Sequence, residues 1–191
     1  TGSPREWVGP ARGAFFATLA EATIFGILLL FFRRTRSLSC AEFLSGNPPI
    51  TPTGTHGAQL ILVIVALYIV MLTENSRVPV DDPATHLELT MIHEVMILDH
   101  SGPDLALIEL GAWFKLLFYS AFLSMLINPF QLENVWLNSL LFYAVVTFIY
   151  MTIGTVESIT ARYKMNMVPK FILTPFILVF FATILTMELI K

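Results

Sequence analysis

The chain has 191 residues, of which 55% are hydrophobic and 13% charged, with a net charge of −3. Soluble domains carry about 25% charged residues, and a core of this size could not keep 16 Phe and a mean hydropathy of +0.73 away from water. A soluble globular enzyme, a disordered tail and a nucleic-acid-binding module are therefore excluded, the last because 11 basic residues against 14 acidic ones leave no phosphate-seeking surface.

What remains is an integral protein of the lipid bilayer. A helix needs about 20 mostly apolar residues to cross the hydrocarbon layer, and five stretches supply them. The first runs from Ala14 to Phe32 and is stopped by Arg33, Arg34 and Arg36. The second, Ala58 to Thr73, is short but can continue toward Arg77 before Pro79 breaks it. The third, fourth and fifth cover Leu105 to Ile127, Val135 to Val156 and Phe171 to Leu189. None alternates with the period of two of a barrel strand. Lipid cannot satisfy a bare backbone, so these are helices. The expected class is an all-α transmembrane bundle, residues 1–191 forming one domain.

Five spans put the termini on opposite sides. Arg5, Arg12, Arg77, Arg162, Lys164 and Lys170 gather on one side, and Arg33, Arg34, Arg36 and Lys191 on the other. The excess favours a cytoplasmic N-terminus, with the segment 74–104 on the same side. Thr1 is not an initiator Met, and the chain reads as a processed piece or a fragment.

Charge is concentrated. Eight acids fall between Glu74 and Glu109: these two with Asp81, Asp82, Glu88, Glu94, Asp99 and Asp104. His86, His93 and His100 lie among them, and Arg77 is the lone basic residue there. Crowded carboxylates raise one another's pKa values, so protons can be exchanged near neutrality, and interleaved histidines titrate in the same range. The segment alternates acids with Leu87, Leu89, Met91, Ile92, Val95 and Leu98, the pattern of a loop packed on protein. Asp82 as N-cap and Pro83 in the first turn predict a helix over about 84–98. The histidines recur every seventh residue, about 10 Å apart on a helix, which is too far to share one zinc. No HExxH is present, and Cys40, the only cysteine, cannot hold an iron–sulfur centre alone.

Ionisable residues inside the spans are few: Glu21, Glu109, Lys115 and Glu157. Each is a functional candidate by default, because a charge at that depth needs a partner or a wet cavity. Glu21 is the strongest candidate for a buried protonatable group. Glu109 and Lys115 are too far apart on one helix to pair, and Glu157 can pair with Arg162. There is no GxSxG, GxxxxGK[ST] or GxGxxG, so no catalytic site is expected.

Three motif groups in order resemble one family. They are Gly2-Ser3-Pro4 with Gly9, Arg12 and Glu21; Glu74-x-x-Arg77-x-Pro79-x-Asp81 with Thr85-His86-Leu87-Glu88-Leu89 and Asp99-His100-Ser101-Gly102; and Glu157-Ser158-x-x-Ala161-Arg162 with Pro169. Together they resemble the membrane-arm component of complex I that joins its redox arm, known as subunit 1. The likeness is greatest to its counterpart in formate hydrogenlyase-type nickel–iron hydrogenases. Family members have further helices before the Gly-Ser-Pro motif, so the chain is similar to their C-terminal portion.

The resemblance implies a coupling component that binds no redox centre of its own. Nickel–iron or iron–sulfur centres would sit in peripheral partner subunits over the acidic loop, and antiporter-like subunits beside it in the membrane. Electron transfer would then drive proton or sodium movement. On that reading Arg12, Glu21 and Arg77 belong to a chamber under the redox module, which in a quinone reductase would admit quinone. Glu74, Asp81, Asp82, Glu88, Glu94, Asp99, Glu109 and Lys115 form the coupling path, and Glu157 with Arg162 its exit. A stand-alone ion transporter is the alternative of another class, and the spans show no convincing internal repeat to support it.

Overall fold

The computed structural model describes residues 4–35, 55–80, 101–127, 134–161, 163 and 167–189, with the backbone alone for 4–12, 34–35, 55–56 and 187–189. The described residues form five helices and no strand: α1 (Pro4–Thr35), α2 (Thr55–Glu74), α3 (Pro103–Ile127), α4 (Val135–Ile159) and α5 (Val168–Leu189). All five are long and apolar enough to cross a membrane. The expected spans are all present, and the largest difference is at the start, where α1 begins at Pro4, ten residues before Ala14.

Local chemistry sets the ends. Gly102 takes the left-handed φ of 64° that a side chain resists, Pro103 follows in the first turn of α3, and the Gly102 carbonyl accepts from the Ala106 N–H at 3.2 Å. Asn134 caps α4 by accepting from the Trp136 N–H, and the Thr160 N–H closes its other end on the Val156 carbonyl. At the foot of α2 the helix does not continue toward Arg77. It stops at Glu74, because Ser76 adopts a left-handed φ of 49° and the chain folds back. The N–H groups of Asn75, Ser76 and Arg77 are spent on the carbonyls of Met71, Thr73 and Leu72, which closes the turn without solvent.

Helix α2 lies at the centre, packed on α1, α3 and α5, while α4 packs on α3. Leu67 and Met71 of α2 meet a shared core containing Ile27 and Leu30 of α1, Leu123 of α3, Ile149 of α4 and Val179 of α5. Lipid is as apolar as leucine, so this association depends on close packing, and small residues permit it. Ala20, Ala66 and Ala182 are fully buried. Where α1 meets α5, a Cβ on Gly26 would stand 3.0 Å from Val179 Cγ1.

A second cluster lies at the other end of α1. Phe16, Val80, Val168 and Ile172 pack together there. The Tyr163 N–H also donates to the Pro79 carbonyl at 3.0 Å. The turn 75–80 is thereby held on the bundle, and Val78, Pro79 and Val80 are buried. This turn opens the acidic segment. Its continuation, with Asp81, Asp82, Glu88, Glu94, Asp99, the three histidines and the predicted helix 84–98, lies outside the described residues.

Candidate functional site: charges at bilayer depth

The foot of α2 carries two charges, and each reaches a different helix. Glu74 closes α2 with its side chain 8% exposed and forms an ion pair with the Lys115 ammonium of α3. Three residues on, Arg77 Nη1 reaches Glu157 Oε1 of α4 at 3.3 Å, with both side chains about one third exposed (34% and 28%). One turn of chain therefore ties α2 to α3 and to α4. A nearly buried carboxylate needs such a partner, since an uncompensated charge at that depth is expensive.

Around the first pair, Tyr119 stands one turn beyond Lys115 on α3, within Coulombic range of both Glu74 and Glu21. Three helices thus bring Glu21, Glu74, Lys115 and Tyr119 into one neighbourhood. Deeper along α3, Ser120 donates to the Leu117 carbonyl at 3.0 Å, which leaves the Tyr150 hydroxyl of α4 to donate to Ser120 Oγ at 3.1 Å. One turn further, Ser124 Oγ is buried without a hydrogen-bond partner among the described residues, as is the Tyr68 hydroxyl on α2. Buried hydroxyls of this kind are sites that an ordered water satisfies.

Of the expected site residues, Glu74, Lys115 and Glu157 are drawn into ion pairs, and the structure adds Arg77 as the partner of Glu157. Arg162, the partner expected from spacing, lies outside the described residues. Glu109 is exposed on α3 and, as its spacing requires, does not meet Lys115. Arg12 lies on α1 where only the backbone is described.

Glu21 is a correction: expected to be buried, it is exposed within this chain. Its helix buries the stripe of Phe16, Ala20, Thr23 and Ile27, and Glu21 falls about 100° round from Ala20. Tyr119, Ser120 and Tyr150 were not among the expected residues. The signal for them was a run of hydroxyls (Tyr119, Ser120, Ser124) within an otherwise apolar span. Among the described residues no three of His, Cys, Asp or Glu gather as a metal would require.

This arrangement defines a class: a polytopic helical membrane protein with paired charges at the level of its spans. A family model described as NADH dehydrogenase matches residues 2–188. The chain belongs to that family, of the complex I subunit 1 type, and is a complex I-type integral membrane component. Membership implies membrane-arm and peripheral partners in a multi-subunit complex. No curated protein and no solved structure matched the chain.

Proposed function

We propose that this chain is the membrane-arm coupling component of an energy-converting hydrogenase-type complex, linking electron transfer in a peripheral module to proton or sodium translocation. The observation that carries this reading is the Glu74–Lys115 ion pair, with Tyr119 beside it on α3. A charge arriving beside such a group changes its proton affinity, at 1.36 kcal/mol per pKa unit, and low dielectric passes the change to neighbouring ionisable groups. The turn 75–80 leads from this pair toward the acidic segment, where the peripheral module docks on the cytoplasmic side. Nickel–iron and iron–sulfur centres belong to that module, and antiporter-like subunits adjoin in the membrane.

The family's NADH dehydrogenase description favours a second reading, the quinone-lining component of an NADH:quinone oxidoreductase. Arg77 suits it chemically: one third exposed, it has guanidinium N–H groups beyond the one given to Glu157, and a quinone carbonyl could accept from them. Purification of the intact complex separates the readings. A partner with paired CxxC motifs and hydrogen-dependent electron transfer supports the first; flavin- and NADH-binding partners support the second. Proton transport by this chain alone in liposomes would rule out both in favour of a stand-alone transporter.

A further inference from the structure

We draw no further inference here: the strongest candidate, the fully buried Gln59 side chain in the second turn of α2, with neither its amide nitrogen nor its amide oxygen hydrogen-bonded among the described residues, carries none because nothing in the structure shows what covers it.

Discussion

Glu74 and Lys115 show what the chemistry of a single pair demands. The carboxylate is nearly enclosed while the ammonium is 44% exposed, so the burden of desolvation lies on Glu74. Lys115→Met strands that carboxylate and should destabilise the chain by about 1–3 kcal/mol, the cost of an unsatisfied buried polar group. Adding Glu74→Gln should return more than half of the loss, and thermal melts of the detergent-solubilised complex read both values. A double variant no more stable than Lys115→Met would show that the pair does not act as a unit. Arg77 and Glu157 differ: with both groups partly in solvent, their bond is worth about 0–1 kcal/mol, and Glu157→Gln should leave the melt nearly unchanged. Spacing along the chain suggested which residues carry function but not whom they meet. Among the described residues Glu157 pairs with Arg77, eighty residues distant, a partner that local spacing did not offer. Contacts made across a bundle leave no local mark in sequence.

The elements themselves were far more legible. Each span is uniformly apolar and bounded by charge, Pro or Asn, and those signals place α2 to α5 within a few residues of their observed limits. The turn after α2 was not legible, because Ser76 has no intrinsic need for a left-handed backbone; packing of Val78 and Val80 imposes it. The exposure of Glu21 was hidden for a related reason. Periodicity tells which faces are apolar, but when a helix is apolar almost all round, it cannot say which face meets protein and which meets lipid. The α1–α5 contact at Gly26 offers a test of packing. Gly26→Ala should stay within about 1 kcal/mol of the parent, since Val179 must give only slightly and alanine favours the helix. Gly26→Leu should cost about 1–3 kcal/mol by overpacking, and Val179→Ala should recover part of it. An unaffected melt in Gly26→Leu would mean that α1 and α5 are not held this closely.

At the scale of the molecule, the crossing made by α3 is a checkable topology. Cysteines introduced at Asp104 and at Asn134, in a background with Cys40 replaced, should label with a membrane-impermeant maleimide from opposite faces, Asp104 from the cytoplasm. Labelling of both from one face would remove α3 as a crossing. On the proposed coupling role, the bundle serves to hold Glu74, Lys115 and Arg77 where a redox partner can bias them. The decisive quantity is therefore the number of ions moved per electron pair by the intact complex in proteoliposomes, compared between the parent and Glu74→Gln. The ratio should fall by at least half while electron transfer and subunit composition persist. An unchanged ratio in a fully assembled Glu74→Gln complex would contradict the assignment of this charge cluster to coupling.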